Sequence, residues 1–92
     1  MLFAIHALDR DDAGGLRAET RPAHLEYASR FEIAYGGPLL DDRGDMCGSL
    51  IVLEAEDLAA AQSFSAGDPY AVAGLFERVE IRGFRPVLGP SN

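Results

Sequence analysis

Hydrophobic and polar positions change period several times along the chain, and each change marks an element. The opening "MLFAIHAL" is apolar at odd and even positions alike, interrupted by His6, which predicts a strand over residues 2–8. The acidic, glycine-rich "DRDDAGGL" then reads as a loop, with Asp9, Asp11 and Asp12 solvated, and residues 13–20 follow without a clear period. Thr20 can cap a helix from Arg21 to Ala34 whose first turn holds Pro22, where a missing N–H is tolerated. At about 100° per residue, His24, Ala28, Phe31 and Tyr35 fall on one stripe of that helix, with Arg21 and Tyr27 at its edges. His24 therefore points inward.

Gly36, Gly37 and Pro38 break this helix, and Asp41 to Asp45 form a polar turn between two extended segments. "GSLIVLEAE", 48–56, is aliphatic and bounded by glycine and acids, which predicts a central strand. Asp57 caps the helix "LAAAQSF", Gly67 ends it, and Asp68-Pro69 starts a short helical turn over "YAVAG". "LFERVEIRGF" alternates at period two, as a half-covered strand does, and "RPVL" adds an edge piece. The order is β-α-β-β-α-β with a brief extra helix, the ferredoxin-like α+β arrangement with an antiparallel sheet, as one domain over 1–92. Two helices cover one sheet face, whereas the first and central strands are apolar on both. A homodimer packed sheet against sheet supplies the missing cover.

Composition narrows the function. Fifteen acidic residues against eight basic ones give a net charge of −7 with no basic run, which opposes binding to nucleic acid or an anionic membrane. Every basic residue is arginine, which excludes Schiff-base chemistry on a lysine side chain. Cys47 is the lone cysteine, so no intrachain disulfide or Cys-based metal knuckle forms and a cytoplasmic setting is expected. The apolar opening has no basic region before it and is far too short to cross a bilayer. His6 and His24 lack the spacing of a metal site, and no cofactor is expected.

"RPAHL", "GGPL", "GSLIVLEAEDLAAAQSF" and "GDPYAVAGLFERVEIRGF" resemble, in order and across about the whole chain, the YCII-related (YciI-like) family. The resemblance implies a dimeric α+β barrel built from ferredoxin-like subunits. It also implies a His–Asp pair in a pocket, carried here onto His24 and Asp68, and one branch of the family is associated with dehydrochlorination of a chlorinated hydroxyquinol.

Such a pair moves protons. A carboxylate on one imidazole nitrogen fixes the tautomer and leaves the other nitrogen to take a substrate proton. The candidate catalytic residues are His24 and Asp68, and the candidate substrate contacts are Arg21, Tyr70 and Ser49. Ser49 and Ser65 sit in no nucleophile elbow and Cys47 has no evident base, which disfavours acyl transfer. Each residue has a plainer alternative: His24 as a satisfied core residue, Asp68 as an N-cap, Arg21 as a solvated helix residue, Tyr70 as junction packing. Three functions stay open: a cofactor-independent lyase-like or isomerase-like enzyme acting on a small polar or aromatic molecule, a ligand-binding module, and an accessory dimer.

Overall fold

A computed structural model describes residues 1–89. Its elements are β1 (Leu2–Asp9), α1 (Leu16–Ala28), β2 (Ile33–Leu40), β3 (Met46–Glu54), α2 (Leu58–Gly67), α3 (Pro69–Val72) and β4 (Phe76–Gly83). The four strands form one antiparallel sheet in the order β2-β3-β1-β4, so the fold is the expected ferredoxin-like α+β arrangement. No helix among the described residues is long and apolar enough to cross a membrane.

The central strands are where the aliphatic runs placed them, because β1 and β3 pair over seven residues each, from Leu2 opposite Glu54 to Leu8 opposite Gly48. Gly48 is required at that end: a Cβ there would collide with the Ala7 carbonyl oxygen. The polar turn also forms. Asp41 Oδ1 accepts from the N–H groups of Arg43 (2.9 Å) and Asp45 (3.0 Å), and Gly44 takes the positive φ of 86° that closes the hairpin.

On one sheet face, Phe3 and Ile5 of β1 and Ile51 and Leu53 of β3 bury against Ala61 and Phe64 of α2, with Tyr27 of α1 at the margin. Each large side chain so buried contributes roughly 1.5–3 kcal/mol. Asp57 starts α2 by accepting from Ala60 N–H at 2.8 Å. Gly67 ends α2 where a Cβ would lie 2.6 Å from the Tyr27 hydroxyl, and that hydroxyl donates to the Phe64 carbonyl at 2.9 Å. The glycine thus lets α1 dock on the end of α2. On the opposite sheet face Leu2, Leu8 and Leu50 are partly buried, Val52 is buried and His6 is exposed.

The first helix departs from its expected bounds. It begins at Leu16 rather than Arg21 and ends at Ala28 rather than Ala34. Thr20 is therefore helical instead of capping, the cap position is Gly15 with no side-chain bond, and Pro22 lies inside the helix. Pro22 and Ala18, whose carbonyl loses its donor, are both exposed, so the break in the ladder opens to solvent. Phe31 leaves the helical stripe for the turn after α1, and Tyr35 moves to β2 with Gly36, Gly37 and Pro38, which extend the strand rather than break a helix. Pairing with β3 organises these residues: Tyr35 sits opposite Val52 and Pro38 opposite Ser49. "RPVL", 85–88, forms no strand; pairing on β1 stops at Phe84 N–H to the Leu2 carbonyl, 2.9 Å, before Pro86, which has no N–H to offer.

Candidate functional site

The early start of α1 puts Arg17, Arg21, His24 and Ala28 on a single face of the helix, at spacings of four, three and four residues. That face looks across the sheet toward the joint between α2 and α3. Asp68 sits at the joint with extended backbone (φ −60°, ψ 128°), where Pro69 opens α3 without an N–H to satisfy. Asp68 Oδ1 accepts from Tyr70 N–H at 2.9 Å and lies 2.8 Å from His24 Nδ1. Capping and contact with the imidazole are thus done by one oxygen. A carboxylate has no proton to give, so Nδ1–H is the donor and Nε2 the open nitrogen. The two side chains are only 12% and 5% exposed, while Nε2 has no protein partner among the described residues.

Next to this pair lies a second one. Arg17 is buried and donates from Nε to Asp9 Oδ2 (2.7 Å) and from Nη2 to Asp9 Oδ1 (2.8 Å), a bidentate fork, with a further bond from Nη2 to Ser49 Oγ (3.0 Å). Burial opposes the Arg17 charge, but the Asp9 hydrogen bonds and charge outweigh it and hold the guanidinium above its ordinary pKa. Asp9 is therefore no solvated loop residue: it closes β1 with its carboxylate 11% exposed. The Arg17 guanidinium carbon lies 4.6 Å from the centroid of the Tyr70 ring, and the His24 ring stacks on Tyr70 at 4.1 Å and 19°. Burial pushes the Tyr70 phenol up, against the pull of Arg17 and Arg21, so its hydroxyl keeps its proton.

These residues wall a cavity of about 280 Å³ between α1, β2 and β3. Arg21, His24, Tyr70 and Ser49 all line it, as does Arg17, and no carboxylate among the described residues does. Ser49 reaches the site as a partner of Arg17. Arg21 lies exposed at the wall with no ion-pair partner among the described residues. Gly36 and Pro38 of β2 also line it. Arg17 and Asp9 were not singled out from the sequence, although Arg17 extends the stripe of Arg21, His24 and Ala28 one turn back into the segment that showed no period. Among the described residues no three His, Cys, Asp or Glu side chains gather to hold a metal ion.

The YCII-related domain family matches residues 1–85, a span that contains every residue of this cavity. The chain belongs to that family. Within the YCII-related relatives it is 33% identical to protein YciI of Escherichia coli, over 96% of this chain and 100% of that one. In structure it is similar to the 5-chloro-2-hydroxyhydroquinone dehydrochlorinase TftG of Burkholderia phenoliruptrix, solved in complex with 2,5-dihydroxybenzoquinone: TM-score 0.85 and 35% identity over 92% of this chain and 94% of TftG. Protein Atu4242 of Agrobacterium tumefaciens, at 15% identity and TM-score 0.55 over 95% and 94% of the two chains, shares the fold.

Proposed function

We propose that this YCII-related protein is a small cofactor-independent lyase, dehydrochlorinase-like, that takes a proton from a hydroxylated aromatic ring with His24 as the base and Asp68 as its orienting carboxylate. The observation that carries this reading is the 2.8 Å contact between His24 Nδ1 and Asp68, which leaves Nε2 as the open nitrogen of a residue lining a cavity of about 280 Å³. Similarity to a dehydrochlorinase supports the class of reaction.

The chemistry balances without a redox partner. In a ring tautomer whose chlorine-bearing carbon is saturated, Nε2 takes the proton of a hydroxyl two carbons away. The O–H electron pair becomes a carbonyl, the double bond between them shifts toward the chlorine-bearing carbon, and the C–Cl bond breaks with its pair as chloride. One proton and one chloride leave. Charge develops on oxygen during this step, and the Arg21 guanidinium in the wall favours that oxyanion, while the Arg17 charge is already balanced by Asp9. Arg21, which has no ion partner among the described residues, is the group we assign to bind it, with the Tyr70 hydroxyl as a neutral donor.

The partly buried Leu2, Leu8 and Leu50 on the far sheet face support a homodimer packed through that face, and the lone Cys47 thiol supports a cytoplasmic setting. The deciding experiment incubates purified protein with hydroxylated and chlorinated aromatics, 5-chloro-2-hydroxyhydroquinone first, and follows chloride release and product mass. We expect turnover that falls about 10²–10⁴-fold in His24→Ala. Equal rates in both proteins would overturn the reading, and tight binding without conversion would replace it with a ligand-binding module.

A further inference from the structure

We propose that Arg17, clamped by Asp9 and Ser49, is a positioning residue for His24 that acts through the Tyr70 ring wedged between them. Arg17 and His24 lie two turns apart on α1, a rise of about 10.5 Å. The Tyr70 ring fills that interval, 4.6 Å from the guanidinium carbon and 4.1 Å from the imidazole centroid. Both groups thus pack against one ring from positions two turns apart on α1.

The wedge adds to what the Asp68 hydrogen bond does. That bond holds Nδ1, an atom off the Cβ–Cγ axis, and so limits rotation about that bond to small swings within a broad well. Stacking at 19° from parallel fixes the ring plane, and with it the direction of Nε2. Tyr70 has the same rotational freedom, held on its edge by Phe76 at 5.9 Å and 72° and on its face by Arg17. Arg17 itself has no slack, since the Asp9 fork binds Nε and Nη2 together and Ser49 takes Nη2 from the adjacent strand. The order held by β1 and β3 thus passes through a planar cation and a phenol to the imidazole. A tie between helix and sheet alone would not need the planar fork: a lysine ammonium serves that purpose as a point charge.

The test does not depend on any substrate. The chain has two histidines, so the ring protons and nitrogens of His24 are separable from those of His6 by NMR, with His6→Gln for assignment. The double variant Asp9→Asn/Arg17→Met removes the clamp without leaving a buried carboxylate unpaired. We expect exchange of the His24 Nδ1 proton with water to rise about tenfold and the cross-relaxation between the His24 and Tyr70 rings to fade. Tyr70→Leu should raise the same exchange. Arg17→Lys, which keeps the charge beside Asp9, should also loosen His24, and it decides the matter if the double variant fails to fold. A folded double variant, or failing that Arg17→Lys, with wild-type exchange and ring contacts overturns the proposal. Its effect on turnover, a fall in kcat with KM unchanged, rests on His24 being the base. Loosened His24 signals in a protein that turns over no substrate would overturn that base role and leave the positioning intact.

Discussion

The same pleated face of the sheet is two different materials at its two ends. At one end Phe3 stands opposite Leu53 and Ile5 opposite Ile51, and α2 closes over them with Ala61 and Phe64. One step further the register brings Ala7 opposite Ser49, and beyond it β1 finishes on Asp9. Side chains shrink and turn polar within a few residues, and there α1 brings Arg17, Arg21 and His24 instead of more aliphatics. The apolar end holds by burial, which is insensitive to direction. The polar end holds by bonds with fixed geometry, which leave a cavity open with His24 in its wall. A small domain can therefore use one end of a sheet for burial and keep a polar cavity at the other.

Substitutions can break this contrast in order of size. The largest effect belongs to the apolar end: Phe64→Ala should cost about 3–5 kcal/mol, read as a drop in the chemical denaturation midpoint, because Phe64 is buried and its removal leaves a void. The His24 ring signals should keep their wild-type contacts with Tyr70 in that variant below its transition. At the polar end, Ser49→Ala should cost about 1 kcal/mol, the net worth of one hydrogen bond, and loosen Arg17 without emptying the core. Uniform responses of both ends to both changes would show that the division is not real.

Alkaline pH probes the polar end more gently. The folded Tyr70 phenol is held above its ordinary pKa by burial, so both states keep the proton below about pH 10. Above that the unfolded chain releases it first, and stability falls as pH rises toward the folded value. Tyr70→Phe should flatten this alkaline decline, measured as the melting temperature between neutral and strongly basic pH. Glu26→Gln should have the smallest effect of all. Arg30, four residues on, draws the Glu26 carboxyl below its ordinary range, which favours the fold above the carboxylate pKa and loses that support as pH falls, but both side chains are largely exposed and salt screens them.

Much of the molecule was legible along the chain because its signals are local. The paired aliphatic runs of β1 and β3, the Asp41–Asp45 turn, the Asp57 cap and the Asp68-Pro69 restart each depend on neighbours within a few residues. Local signals start the first helix five residues late because Pro22 suits a first turn, and only exposure of Pro22 and Ala18 makes it tolerable further in. Tyr35 and the following glycines look like the end of a helix until β3 pairs with them. For the site, His24, Asp68, Arg21, Tyr70 and Ser49 could be named from spacing and resemblance, whereas Arg17 looked like one more arginine in a featureless stretch.

The amino-acid order alone determined the succession of strands and helices, the inward-facing imidazole and the acidic character of the surface, because periodicity, capping and charge act over one or two turns of chain. Only the folded arrangement decided that Asp9 would leave the solvent for Arg17, that Tyr70 would slide between Arg17 and His24, and that a cavity would open beside them. Those groups come from separate strands and helices, and a buried charge, a stacked ring and a void are defined by what surrounds them in space rather than by what precedes them in the chain.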